Sequence, residues 1–250
     1  MTALLPKSFS TRIANRIQER EALRCYPVAK LAVILQEVGF SCTLCARCCT
    51  RAFNGHVLLL EEDTERIRSI DPSGLEPPPE YDFCDQHGIF YVSGFTIRAR
   101  PGGEGSCHFL ESRRCRIYDA RPWICRVYPY MLHREPDGDG VVDWRQISGL
   151  DQHGEYHSCI PDETSHRIAH DVKAFEEAVL THEISFLEYS GRYFQANGLR
   201  HVRKRYDDGI RALGRGAAVT VMVYHKGSFE EWIVQGGEST PEGKKIKKIN

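Results

Sequence analysis

Residues 42–49 read CTLCARCC and place four cysteines within eight positions. Because two residues separate the first three cysteines, one loop can bring their thiolates to the same side of a metal ion or cluster. Four thiols this close together in an aerobic cell would oxidise unless a metal held them, and such short separations disfavour disulfides. The run therefore predicts a metal site with Cys42, Cys45, Cys48 and Cys49 as ligands.

Cys48 and Cys49 are adjacent, which constrains how they can bind. Neighbouring side chains diverge by about 100° in a helix and about 180° in a strand, so both thiolates seldom reach one small ion. We expect the pair either to serve two neighbouring sites or to leave one thiolate as a redox-active or spare residue.

A second group of cysteines lies downstream and consists of Cys107, Cys115, Cys125 and, farther on, Cys159. The two groups together supply eight thiols, which suit two sites of four thiolates each. One four-cysteine site with structural thiols around it would use the same residues, so both arrangements stay open. Cys25 and Cys84 are isolated from both groups and are typical of small buried apolar residues.

The chain has 250 residues, of which 41% are apolar and 27% are charged, values that are ordinary for one soluble globular domain. Its formal net charge of −1 gives no reason to expect nucleic acid or an anionic membrane as a partner. No run of 18 apolar residues occurs, and no signal-peptide segment precedes Arg12. We therefore expect a cytoplasmic, reducing setting, in which the ten cysteines bind metal rather than form disulfides.

Hydrophobic periodicity predicts three helical regions, at residues 8–37 with a break at Pro27, 61–70 and 162–194. Alternating or short apolar stretches predict strands at residues 56–60, a strand pair over 88–100 broken near Gly94, a strand at 141–147 and a hairpin over 219–234. We therefore predict an α+β fold, with a small irregular metal-stabilised cysteine-cluster core, flanking helices and a C-terminal β-hairpin.

The same patterns divide the chain into four segments. We expect a helical segment at residues 1–39, a cysteine-cluster metal-binding domain at 40–160 and a helical and hairpin extension at 161–235. Residues 236–250 are polar and lysine-rich, which is typical of a disordered tail.

Arginines are concentrated around the downstream cysteines. Residues 97–126 hold Glu104, Glu111, Asp119 and seven arginines, Arg98, Arg100, Arg113, Arg114, Arg116, Arg121 and Arg126. This positive excess would offset the charge of the thiolates and lower the pKa of the thiols. An ordinary solvated basic face, or a site for an anionic substrate or partner, would use the same residues.

The stretch CRIYDARPWICRVYPY, residues 115–130, predicts a short helix with Asp119 as its cap and Pro122 in its first turn. Arg121 and Cys125 would then lie one turn apart on one face, where the guanidinium could donate to a metal-bound sulfur. Arg121 and Arg126 are therefore candidate cofactor-binding residues.

Histidines near the cysteines are possible replacements for a thiolate, although surface or core roles are more typical of them. These are His108, His153 and His157, and His166 and His170 form a further pair at helical spacing. The chain has no Ser–His–Asp order, phosphate-binding loop or HExxH motif that would indicate a hydrolase or nucleotide-binding enzyme.

Three motifs occur in a fixed order: CTLCARCC at 42–49, HVLLLEEDTERI at 56–67 and CHFLESRRCRIYDARPWICRVYP at 107–129. In this order they resemble the CxxCxxCC cysteine-cluster family, also called the YkgJ-like family of zinc- or iron-chelating domains. The resemblance covers roughly residues 40–160, and Cys159 is similar to a later cysteine that often follows the family's core. It implies metal chelation and no particular reaction.

Three functions fit these observations. The ferredoxin-like CxxCxxC start favours an iron–sulfur cluster of the 4Fe–4S type. Such a cluster would serve redox or cluster-dependent chemistry. Flagellin lysine N-methylase has a related cysteine cluster and is associated with an iron–sulfur cluster, which also favours iron in this chain. The alternatives are a zinc-chelating structural or binding module, and a thiol redox or metal-transfer protein. If the protein holds an iron–sulfur cluster, we expect it to have a redox partner protein. We expect neither nucleic-acid binding nor a membrane span.

Overall fold

The computed structural model describes residues 7–100, 105–130, 132–136, 142–146, 151–236 and 245–248. It combines helices with several small sheets, so the predicted α+β class is confirmed. The helices are α1 (Lys7–Cys25), α2 (Val28–Val38), α3 (Arg51–Asn54), α4 (Glu61–Ile70), α5 (Trp123–Val127), α6 (Asp162–Ala196) and α7 (Arg203–Gly214).

The predicted helical regions correspond to α1, α2, α4 and α6. Pro27 separates α1 from α2, as expected, because its ring fixes an extended entry into the second helix. Helix α2 ends at Gly39, whose φ of 50° is the left-handed conformation that glycine adopts readily. Helices α1 and α2 both pack against the 35-residue α6.

The strands are short and belong to four sheets. They are β1 (Leu58–Leu59), β2 (Leu75–Glu76), β3 (Phe83–Cys84), β4 (Phe90–Ser93), β5 (Phe95–Ile97), β6 (Leu110–Glu111), β7 (Arg114–Cys115), β8 (Leu132–Pro136), β9 (Val142–Gln146), β10 (Ala218–His225), β11 (Ser228–Gln235) and β12 (Lys245–Lys248). One sheet has the order β12-β11-β10-β4-β3 and another the order β1-β5-β2, while β6 pairs with β7 and β8 with β9.

The predicted C-terminal hairpin is present as β10 and β11, which pair antiparallel from Ala218 opposite Gln235 to His225 opposite Ser228. Strand β10 also pairs in parallel with β4, so the hairpin extends a sheet that begins in the cysteine-rich middle of the chain. The extension predicted at residues 161–235 therefore shares a sheet with the segment predicted at residues 40–160.

The strand pair predicted over residues 88–100 is broken at Gly94, as expected, but its two halves do not pair with each other. Strand β4 joins β10 and β3, whereas β5 joins β1 and β2. Gly94 has a φ of 69°, and its N–H donates to the Tyr224 carbonyl at 3.1 Å. The chain therefore leaves one sheet at this glycine and enters the other.

Three groups of buried side chains stabilise this arrangement. The first lies between the two larger sheets and reaches Phe109 and Ile117, beside the downstream cysteines. The second joins α2, α5 and the first half of α6, and the third joins α1, β3, β4 and the second half of α6. The cysteine-rich segments are thus bordered by packed apolar side chains on two sides.

Part of the C-terminal tail departs from the expected disorder. Lys245–Lys248 forms β12 against β11, with Lys248 opposite Trp232, because β11 offers an edge to which a further strand can pair. Apart from Gly236, the other residues of the predicted tail lie outside the described part of the chain. Within the described residues, no helix is long and apolar enough to cross a membrane.

Candidate metal centre

Six of the eight candidate cysteines line one cavity of about 200 Å³, and they come from both cysteine-rich segments. The six are Cys42, Cys48, Cys49, Cys107, Cys115 and Cys125. Apolar side chains that include Phe109 and Ile124 complete much of the wall. The two segments that the sequence singled out therefore converge on one space.

Residues 42–49 fold into a loop that brings Cys42, Cys48 and Cys49 to the cavity wall. Leu44 and Ala46 adopt left-handed conformations with φ values of 56° and 62°, and a 3-10 turn follows at Arg47–Cys49. The Leu44 N–H points at the Cys42 sulfur, 3.4 Å away. Such an N–H group stabilises a thiolate, which is the form that binds metal.

Backbone hydrogen bonds join this loop to the downstream segment. The Cys107 N–H donates to the Cys49 carbonyl at 2.7 Å, and the Arg51 N–H donates to the Gly105 carbonyl at 2.9 Å. These bonds hold Cys49 and Cys107 at the same side of the cavity although 57 residues separate them in sequence.

The hairpin of β6 and β7 brings Cys115 back towards Cys107. Its two turn residues, Ser112 and Arg113, both have positive φ, as a tight two-residue hairpin requires. Burial raises the pKa of both thiols, and hydrogen bonds from the Phe109 N–H to the Cys107 sulfur and from the Ile117 N–H to the Cys115 sulfur oppose this shift. The pattern repeats the one at Cys42, with each sulfur bonded by the N–H two residues later.

Helix α5 carries Cys125, and its cap is not the residue that the sequence predicted. The helix begins at Trp123, and the Trp123 N–H donates to the Asp63 carboxylate at 3.0 Å. Asp119 lies instead in a separate 3-10 turn before Pro122, too early to cap α5. Asp63 is 2% exposed and also pairs with Arg66. Asp63 lies 60 residues before Trp123 in the sequence, so no local pattern indicated this role.

Four of the thiols interact electrostatically, which shifts their pKa values. The pKa of Cys125 is raised, first by burial and then by the charges of Cys107, Cys115 and Cys48. Burial also raises the pKa of Cys107 to about 11, with Cys115 adding to it. Cys48, Cys107, Cys115 and Cys125 therefore influence one another within the cavity that all four line.

The arginines were expected to lower the thiol pKa values, but the overall shift of the Cys48 and Cys115 pKa values is upward. Arg121 does lower the pKa of Cys48 and of Cys115. A hydrogen bond with Cys49 and burial nevertheless raise the pKa of Cys48, and burial raises that of Cys115. Removal of these thiols from water outweighs the nearby positive charge, so a bound cation is what would favour their ionised form.

The two candidate arginines lie on different sides of α5. Arg121 lines the cysteine cavity, and its guanidinium lies over the Tyr118 ring at 3.9 Å. It precedes α5 rather than lying on it, so the predicted one-turn spacing from Cys125 does not occur. Arg126 lines a second cleft of about 490 Å³, together with Trp123, Glu61 and His182.

The remaining cysteines are placed away from the cavity wall. Cys45 is half-buried beside Tyr128 and Tyr156, and Cys159 is exposed. Cys84 is fully buried among apolar side chains, as predicted, whereas Cys25 is exposed at the end of α1, so its predicted burial is wrong.

Each histidine that could have replaced a thiolate has other partners. The His108 ring is bonded to Asp71 at 2.8 Å, and His153 is buried with its Nε2 bonded to the Tyr128 hydroxyl at 2.8 Å. The His157 Nδ1 lies 3.1 Å from the Glu37 carbonyl. His166 bonds the Asp162 carbonyl at 3.0 Å, and His170 is exposed.

The donors around the cavity suit a thiophilic group. Thiolates are the ligands that zinc and iron–sulfur clusters take, and the N–H groups directed at three of the sulfurs stabilise that form. In the part of the chain that the structure describes, no three His, Cys, Asp or Glu side chains are close enough to hold a single ion as they stand.

Comparison with known proteins agrees with this chemistry. Residues 41–147 match the model of the CxxCxxCC family, described as "Putative zinc- or iron-chelating domain". The uncharacterized protein MJ0661 of Methanocaldococcus jannaschii is 27% identical over 105 residues, which are 41% of this chain and 51% of that protein. The chain thus spans about half the length of this curated relative. No solved structure matches the chain significantly.

The family match begins one residue before Cys42 and includes seven of the eight candidate ligands, with Cys159 beyond its end. Six of these seven, all except Cys45, line the cavity. Residues 41–147 are therefore similar to the CxxCxxCC family of zinc- or iron-chelating domains, and this similarity supports metal binding by the cysteine-rich part of the chain.

Proposed function

We propose that this domain binds an iron–sulfur cluster, of the 4Fe–4S type, and that the protein uses it for redox or cluster-dependent chemistry. The observation that carries the proposal is the convergence of six cysteines from two segments on one cavity of about 200 Å³. The ferredoxin-like spacing of Cys42, Cys45 and Cys48 is consistent with it.

The size of the cavity supports a group of several atoms. A zinc ion held by four thiolates at about 2.3 Å leaves no space between itself and its ligands. The cavity of about 200 Å³ is several times larger than the roughly 30 Å³ that one water molecule occupies in the liquid.

Cys48, Cys107, Cys115 and Cys125 are the ligands that we propose, because all four line the cavity and the charges of the other three act on the buried Cys125 thiol. Cys42 and Cys49 line the same cavity and are the candidates for a second set of contacts. When bound, the cluster would accept and donate single electrons. The chain's own residues hold the thiolates with backbone N–H groups, and Phe109 and Ile124 help to keep water from them.

Anaerobic purification, followed by a visible spectrum and by iron, zinc and sulfide analysis, tests the proposal. We expect a broad visible absorption with stoichiometric iron and sulfide. Cys125→Ser should lose it, whereas Cys25→Ser, at an exposed thiol outside the cavity, should keep it. A colourless protein that contains zinc without sulfide would refute the cluster and favour the zinc-chelating module.

We also infer a reducing, cytoplasmic setting. All ten cysteines are free thiols in the structure, and eight of them lie in the two metal-binding segments. An oxidising compartment would favour disulfides among exposed thiols such as Cys42 and Cys159.

A further inference from the structure

Two exposed apolar side chains stand at the mouth of the cysteine cavity. Leu44 is 45% exposed and Tyr118 is 48% exposed, and both line the cavity. They come from the two different cysteine-rich segments, so only the folded chain brings them to one opening. Other exposed large apolar side chains, such as Val33 on α2, lie on the outer helices. The cavity mouth therefore combines access to the thiols with apolar surface.

Positive charge surrounds this apolar surface. Arg113 and Arg121 line the cavity, and Arg47 is exposed between Cys45 and Cys48. Arg47 donates to the Gln152 carbonyl at 2.7 Å, and Arg121 lies over Tyr118. Among the described residues, none of the three forms an ion pair with a carboxylate. Nearby Arg116, by contrast, is neutralised by Asp71 at 2.5 Å.

The charge is a local property of this face. Residues 105–121 contain four arginines against Glu111 and Asp119, although the whole chain has a net charge of −1. The opposite side of α5 borders the second cleft, which is lined by Glu61, Glu62 and Glu177. The rim of the cysteine cavity therefore carries a local positive charge that the net charge of the chain does not show.

We infer that the cavity rim, defined as Leu44, Arg47, Arg113, Tyr118 and Arg121, is the docking surface for an acidic one-electron carrier protein. This inference rests on the proposed redox function and names its partner. Unpaired arginines attract a negatively charged surface and orient it during the encounter. Tyrosine and arginine are enriched at protein interfaces, and a small apolar patch suits the weak, transient contacts of electron-transfer proteins.

The exchange needs no bond to form or break. The reduced carrier loses one electron and becomes oxidised, and the thiolate-bound group on this chain is reduced by the same electron. Docking at the rim brings the carrier to the side of the protein where the cavity opens. The apolar contact at Leu44 and Tyr118 excludes water from the junction, while the arginines offset the negative charge of the carrier.

Binding of an acidic bacterial flavodoxin to the purified holoprotein tests the inference, with calorimetry at two salt concentrations as the measurement. We expect binding to weaken about tenfold or more between about 50 and about 500 mM NaCl. The double variant Leu44→Asp/Arg113→Glu should weaken binding about tenfold or more at low salt. The matched control Val33→Asp/Arg203→Glu changes an exposed apolar residue and an exposed arginine on α2 and α7 and should bind like the wild type.

Metal and sulfide content is measured for every protein, so the two proposals fail separately. Salt-sensitive binding that only the rim variant loses supports the docking surface, whichever metal is present. A protein that contains zinc alone but still binds refutes the cluster and the electron transfer, and leaves only a docking surface for an acidic protein. No binding of flavodoxin at low salt, or equal loss in the rim and control variants, overturns the docking surface.

Discussion

Asp63 should stabilise the helix that carries Cys125, and its replacement by alanine tests this directly. The carboxylate is buried and accepts the Trp123 N–H at 3.0 Å, at the start of α5. Loss of a helix cap costs about 0.5–2 kcal/mol, and loss of a hydrogen bond to a charged group costs about 1.5–3 kcal/mol. Both values describe the same contact, so they are not added.

The ion pair of Asp63 with Arg66 adds less than about 1 kcal/mol, because the arginine side chain is 34% exposed. We therefore expect Asp63→Ala to lower the free energy of unfolding by about 2–3 kcal/mol. Asp63→Asn keeps an oxygen acceptor for the N–H and should cost about 1 kcal/mol. Urea unfolding of the metal-free proteins measures both values.

The metal-loaded protein gives a second readout of the same perturbation. If α5 must stay folded to hold Cys125, Asp63→Ala should increase metal release to a chelator about 30-fold, the equivalent of about 2 kcal/mol. Glu62→Ala is the matched control, because Glu62 lies in the same helical turn and is exposed. Equal stability and equal metal release for Asp63→Ala and Glu62→Ala would refute the capping role.

Three further perturbations have defined outcomes. Cys125→Ser should reduce the bound metal, measured by elemental analysis, to a small fraction of the wild-type content. Cys84→Ala should leave the metal content unchanged, because Cys84, unlike Cys125, does not line the cavity. Phe109→Ala should cost about 3–5 kcal/mol in urea unfolding, because this ring is fully buried beside Cys107, and a cost below about 1 kcal/mol would contradict its packing role. Hydrogen bonds with Lys226 and His225 lower the pKa of Glu65 to about 2. The ionised carboxylate therefore stabilises the fold fully above the unfolded-state pKa of about 4.3, and this contribution is lost as the pH falls towards 2. Glu65→Gln should therefore flatten the stability profile between these pH values, and parallel profiles for variant and wild type would contradict the assignment.

Local patterns were sufficient for the parts of the fold that depend on near neighbours. The periodicity over residues 61–70 corresponds to α4, and Pro27 separates two helices as its ring geometry requires. The hairpin of β10 and β11 follows from alternation around one turn. Strands of two residues, such as β6 and β7, carry too little alternation to be recognised. Their positions depend on the turn at Ser112 and Arg113 and on packing beside Phe109.

The amino-acid sequence by itself predicted that this protein binds metal, because four thiols within eight residues would oxidise in an aerobic cell unless a metal held them. It also identified the second cysteine segment and the arginines around it. Only the tertiary structure decided which thiols share a cavity, since Cys49 and Cys107 meet through backbone bonds between distant segments. It likewise placed Asp63 rather than Asp119 at the start of α5 and turned Arg126 to the other side of that helix. These contacts join residues that are far apart in the chain, and no local spacing encodes them.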